Sequence, residues 1–120
     1  MEVMVLYADR NEITGDVEWF DHVATVTAPE HYDENRSMEY AFRRLQNIEG
    51  SWSQGETIEF DGDVIPNFDY DVNVTVVKPL RTWSDGRVMG HRSCSMYDRM
   101  IVDGIIYEVD AFGFRKRSEE

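Results

Sequence analysis

Cysteine is almost missing from this chain of 120 residues. Cys94 stands alone, so no disulfide can close within one molecule, and no cysteine-based zinc site can be assembled from it. Proline is nearly as scarce, occurring as Pro29, Pro66 and Pro79. Linkers, repeats and low-complexity tracts are missing too, so a single domain spanning residues 1–120 is expected. No apolar run approaches the roughly 18 residues a membrane-spanning helix needs. The N-terminal "MEVMVLYADR" is acidic, and its apolar stretch is too short for a secretory signal. These features point to a soluble protein of the cytoplasm, with no membrane partner.

Basic residues are few and unevenly placed. Twelve Lys and Arg face 24 Asp and Glu, a formal charge of −12, and the first 80 residues carry 17 of the acids. From Asp9 to Glu34 there are eight acids and one base, and from Glu49 to Asp71 seven acids and none. Affinity for free nucleic acid rests on neutralising phosphates with cations. Such surfaces are better matched to a basic groove on a protein.

What is present is a β-rich pattern with one helix. "EVMVLYA" (2–8) is apolar on both alternating faces and reads as a central strand, and "HVATVTA" (22–28) as a second, ending before Pro29. Residues 10–21 read as a loop or ragged hairpin. Met38, Ala41, Phe42, Leu45 and Ile48 form one helical stripe, which predicts a helix over 37–48 with Asp33 or Ser37 as cap and Gly50 beyond its end. Strands are expected at 56–60 and 72–77, with a reversal near Asp61-Gly62 and an Asp-, Gly- and Arg-rich loop after Pro79. The best hairpin signal is "RMIV" and "IIYEV" around Asp103-Gly104, a pair suited to a type I′ turn, with Arg99 opposite Glu108. The fold class is α+β: a mostly antiparallel, twisted sheet of about five or six strands with one main helix packed on it. The terminal "RKRSEE" is expected to fray.

The segment "HRSCSMYD" (91–98) concentrates polar groups and poses the main chemical question. Side chains adjacent on an extended segment alternate sides and do not converge, and no G-x-S-x-G context is present. Asp98 is better placed to hold the incoming turn through backbone amides. His22, His31 and His91 lack the helical spacing of a zinc site. Asp61, Asp63, Asp69 and Asp71 lack the EF-hand order of ligands. No catalytic residue, metal or cofactor is therefore assigned.

Trp19, Phe20, Tyr32, Trp52, Phe68, Tyr70 and Trp83 lie in polar stretches, and some are expected to stay accessible beside the acids, as at an interface with a basic partner. The residues assigned to binding are Trp52, Trp83, Arg92, Ser93, Ser95, Asp61, Asp63, Asp69 and Asp71. Two alternatives stand beside this reading. One is a nucleic-acid-binding module using Arg81, Arg87, Arg92, Arg99, Arg115, Lys116 and Arg117. The other is a small metal-dependent hydrolase using the four aspartates. A homodimer through exposed sheet edges is also compatible with the pattern.

"MEYAFRRLQNIEGSWS", "DVNVTVVKPL" and "GHRSCSMYDRMIVDGIIYEVDAFGF" resemble a group of small proteins encoded by bacteriophages and other mobile elements, notably of actinobacteria. Those proteins end in Arg-Ser-x-Ser, a Gly-Asp step, a hairpin and Gly-Phe. The pattern falls here on Arg92, Ser93, Ser95, Asp98, Asp103, Gly104, Tyr107, Gly113 and Phe114, with Tyr97 where glycine is usual. The resemblance implies a phage or plasmid origin and brings no activity with it. Small acidic phage proteins commonly bind a host protein as host-takeover or anti-defence factors, sometimes imitating the charge of DNA. The expected partner is a host protein with a basic surface.

Overall fold

A computed structural model describes residues 1–117. Ten strands and one helix follow in the order β1 (Glu2–Arg10), β2 (Val17–Thr27), α1 (Glu34–Arg44), β3 (Thr57–Phe60), β4 (Asp63–Pro66), β5 (Val74–Val76), β6 (Arg81–Thr82), β7 (Val88–Met89), β8 (Arg99–Val102), β9 (Ile105–Asp110) and β10 (Gly113–Lys116). Six strands form one antiparallel sheet in the order β10-β9-β8-β1-β2-β5, and the pairs β3-β4 and β6-β7 stand apart as separate hairpins. The expected α+β class, with one helix on a twisted sheet, is what the chain adopts.

β1 is central, and its two faces differ. Val3, Val5 and Tyr7 are buried beneath α1, together with Ala24, Val26, Met100 and Val102 from the neighbouring strands and Trp52 from a loop. Met4 and Leu6 face the other way and remain partly exposed, as do Phe20, Ile101 and Ile106. The sheet is thus covered on one side, giving two layers.

The Asp103-Gly104 turn sets the β8-β9 register. Both residues have positive φ, +50° and +78°, as a type I′ turn requires, and Arg99 pairs with Glu108. Asp61-Gly62, with φ of +50° and +82°, closes β3-β4 in the same way. Residues 63–66 therefore form a strand of their own.

Several boundaries differ from expectation. The helix begins earlier than residue 37, because Asp33 caps it by accepting from the Arg36 amide at 2.8 Å. It also stops earlier. Met38, Ala41 and Leu45 are buried as the stripe requires, but Ile48 is 76% exposed. The amides of Ile48, Glu49 and Gly50 all donate to Asp69 Oδ2, at 2.7–3.0 Å, which turns this backbone out of the helix. Residues 17–21 extend β2 rather than looping. At the other end, Arg115 and Lys116 belong to β10, and residues 118–120 of the expected frayed tail lie outside the described residues.

Candidate functional site

The polar segment at 91–98 is a structural knot. Asp98 is fully buried, and its carboxylate accepts four hydrogen bonds. Two come from a fork of Arg92 Nη1 and Nη2 at 2.7 Å each, and two from the amides of Ala8 and Ser95 at 2.9 Å each. β1 pairs with β8 only over Met4–Leu6, so at Ala8 the carboxylate takes the place of the strand that has ended. Asp98 therefore holds backbone amides as its position before a strand implies, and Arg92 neutralises it.

The surroundings tighten this arrangement. The Arg92 carbonyl accepts from Tyr7 Oη and from Trp52 Nε1, both at 2.8 Å. Ser93 Oγ accepts the Asn47 amide, and Gln46 Nε2 donates to the Cys94 carbonyl. His91 stacks on Trp52 and its Nε2 bonds to Lys78 O, which commits the ring within the fold. Burial pushes the Tyr7 phenol and the Cys94 thiol well above their usual ranges, and Asp98 nearby pushes them further. Arg92 is held more firmly protonated than usual, chiefly by its hydrogen bond to Asp98. Buried protonated Cys94 lacks the thiolate character a nucleophile needs.

Trp52 departs from expectation. It is 1% exposed, edge-on to Tyr7 with ring centroids 6.1 Å apart, and belongs to the core. Its flanks are buried with it as their backbone groups and the Ser53 hydroxyl find partners, while the Ser51 hydroxyl has none among the described residues. Asn47 Oδ1 accepts the Trp52 amide, Asn67 bonds Ser51 through both its oxygen and its nitrogen, and Ser53 Oγ accepts the His91 amide.

The four aspartates separate into two pairs. Asp69 is committed to three amides, while Asp71 pairs with Arg44 at 3.2 Å and caps Asn73. Asp61 and Asp63 sit apart from them, on the tip of the β3-β4 hairpin. Among the described residues, no three His, Cys, Asp or Glu gather to hold a metal ion.

What stays uncommitted lies between the two small hairpins. A cleft of about 660 Å³ is lined by Ile58, Glu59, Phe60, Asp61 and Val64 on one side and by Trp83, Arg87 and Val88 on the other. Phe60, Val64, Trp83 and Val88 are all exposed, Trp83 at 52%. A two-stranded hairpin has no second layer to bury its apolar side chains. Trp83 is steadied by Arg87, whose guanidinium lies 5.8 Å from its ring centroid and pairs with Asp85 at 2.7 Å.

Of the residues assigned from sequence, the cleft brings together Asp61 and Trp83, with Asp63 adjoining. Arg92, Ser93, Ser95, Asp69, Asp71 and Trp52 are engaged in holding loops. From sequence, Arg87 is assigned only to the nucleic-acid alternative and Val88 to nothing, because residues 81–89 read as a loop, and Phe60 and Val64 are not assigned because a strand and its reversal do not show which apolar side chains stay uncovered. Asp85-Gly86 between "RTW" and "RVM" was the available signal, with Gly86 at φ +89° and the Trp83 amide bonded to Arg87 O at 2.7 Å. In a second cleft of about 490 Å³ beside Tyr7 and His91, Lys78 and Asp21 already pair at 2.7 Å. Comparison with known proteins finds no matching family model, no matching curated protein and no matching solved structure.

Proposed function

We propose that this chain is a non-enzymatic binding protein of the phage type, and that the cleft between β3-β4 and β6-β7 takes an extended basic segment of a host protein. The observation that carries the reading is a cleft between two hairpins whose lining includes the exposed apolar residues Phe60, Val64, Trp83 and Val88 together with Glu59 and Asp61. Apolar side chains left in water at a concave site gain by covering, and a tryptophan among them is the residue type most often found as an energetic anchor. The acids choose the sign of the occupant. With a net charge of −12, the chain attracts a cationic partner from a distance and sets its register on arrival.

Other groups with chemical potential support binding over catalysis, since Arg92, Ser93, His91 and Asp69 already spend their hydrogen bonds within the fold. Occupying a host protein's basic groove would block whatever that groove serves, which is the inhibitor role.

Selection from a random peptide display library tests this even though the partner is unidentified. Enriched peptides should combine Arg or Lys with a large apolar residue and bind more weakly as salt rises. Trp83→Ala should weaken them by about 2 kcal/mol, roughly thirtyfold. Enriched peptides without basic residues, or equal binding to the Trp83→Ala protein, would overturn the reading.

A further inference from the structure

The uncovered face of the sheet carries a cluster that shares no residue with the cleft. Glu108 pairs with Arg99 across β8-β9 and with Arg115 across β9-β10. The adjacent Tyr107 reaches Glu34 of α1, so the alternation of a strand turns Glu108 and its two partners to the side away from the helix. Arg117 joins them, its amide bonded to Ile106 O. Among the described residues, three arginines thus meet the one carboxylate of Glu108.

The hydrogen bonding among them is incomplete. Glu108 is 8% exposed and takes one short bond, from Arg115 Nη2 at 2.9 Å. Arg99 Nε and Arg117 Nη1 both stop 3.9 Å from Glu108 Oε1, beyond hydrogen-bond reach. Among the described residues Arg99 Nε is buried with no acceptor, and its guanidinium lies over the Phe20 ring at 4.1 Å. The Arg99, Arg115 and Arg117 side chains stay 27%, 59% and 42% exposed, which leaves their guanidiniums open to an acceptor from solution.

We infer that Arg99, Arg115 and Arg117 form an oxyanion site, with phosphate as the ligand group and Glu108 as the pivot that holds the guanidiniums close without satisfying them. Planar guanidinium forks match phosphate oxygens in pairs, which a lysine cluster would not. Phe20 fixes the plane of Arg99, so one donor is oriented before the ligand arrives.

The test is an NMR titration of the full chain, following arginine Nε–Hε signals as inorganic phosphate replaces chloride at constant ionic strength. The Arg99 and Arg117 signals should shift and saturate in the millimolar range. Arg87, paired with Asp85 elsewhere, should not move. Arg117→Gln should weaken the effect about tenfold, with the backbone amide spectrum reporting an intact fold. Arg99→Lys, which keeps the charge and loses the fork, should weaken it as well. No shift, a linear shift alike at Arg87 and Arg99, or unchanged affinity in Arg117→Gln would overturn the site. Adenosine 5′-phosphate and a short single-stranded DNA then distinguish the source of the phosphate. Tighter binding of the mononucleotide than of phosphate marks a small ester, further gain only with DNA marks a nucleic-acid backbone, and no gain marks free phosphate.

Discussion

Trp52 and Trp83 occupy similar polar, turn-rich sequence, yet one ring is 1% exposed and the other 52%. The difference lies in their neighbours' backbone. Around Trp52, residues 46–56 bond to segments far along the chain, to Ser93, Cys94 and Arg92 on one side and to Asn67 and Asp69 on the other. Around Trp83, the hairpin amides are bonded within the hairpin itself. A ring is carried inside when the polar groups beside it find long-range partners, and left outside when they are satisfied locally. The first arrangement builds the fold, and the second leaves a surface for use.

The contrast can be broken most forcefully at Trp52. Trp52→Ala should cost about 3–5 kcal/mol in urea unfolding, as large core truncations do. A loss below about 1 kcal/mol would mean that the ring is not part of the core. Asp98→Ala comes next, at about 3 kcal/mol, because it strands the Arg92 guanidinium and leaves the Ala8 and Ser95 amides without their acceptor.

Alkaline pH probes the same knot. Tyr7 and Cys94 are held protonated in the fold, whereas the unfolded chain releases those protons above roughly pH 8.5 for a thiol and pH 10 for a phenol. Their contribution is fully present below about pH 8.5 and lost as pH rises, by up to about 1.4 kcal/mol per pH unit for each group. Thermal melts in Cys94→Ala should lose the first of these two steps.

Tyr97 refines the picture of the turn inside the knot. Its φ of +74° lies in the left-handed region that glycine enters most easily. Tyr97→Gly should raise stability by less than about 1 kcal/mol, since relief of strain is offset by the lost stacking of Arg10 at 4.8 Å. Trp83→Ala should change stability least, within about 0.5 kcal/mol, while abolishing most peptide affinity.

Much of the fold was legible where the determinants are local. Asp103-Gly104 specified both a turn type and the pairing of Arg99 with Glu108, and the alternation of β1 marked a central strand. Asp98 before β8 announced its bonds to backbone amides. The limits came from partners distant in sequence. Past the end of the helix, Asp69 holds the amides of Ile48, Glu49 and Gly50 from about 20 residues away, which no helical periodicity around Ile48 reveals. Trp52 was misplaced for the same reason. The cleft was half visible, as Trp83 and Asp61, because its second wall is a hairpin of two-residue strands too short to register as an alternating pattern.

Fluorine NMR on the chain labelled with 5-fluorotryptophan tests the central claim most directly, since Trp19, Trp52 and Trp83 each give one resonance. On adding a display-selected basic peptide, the account predicts that the Trp83 resonance shifts and saturates while Trp52 stays fixed. Movement of Trp52 or Trp19 with Trp83 unchanged would contradict it, and would place the binding surface away from the two hairpins.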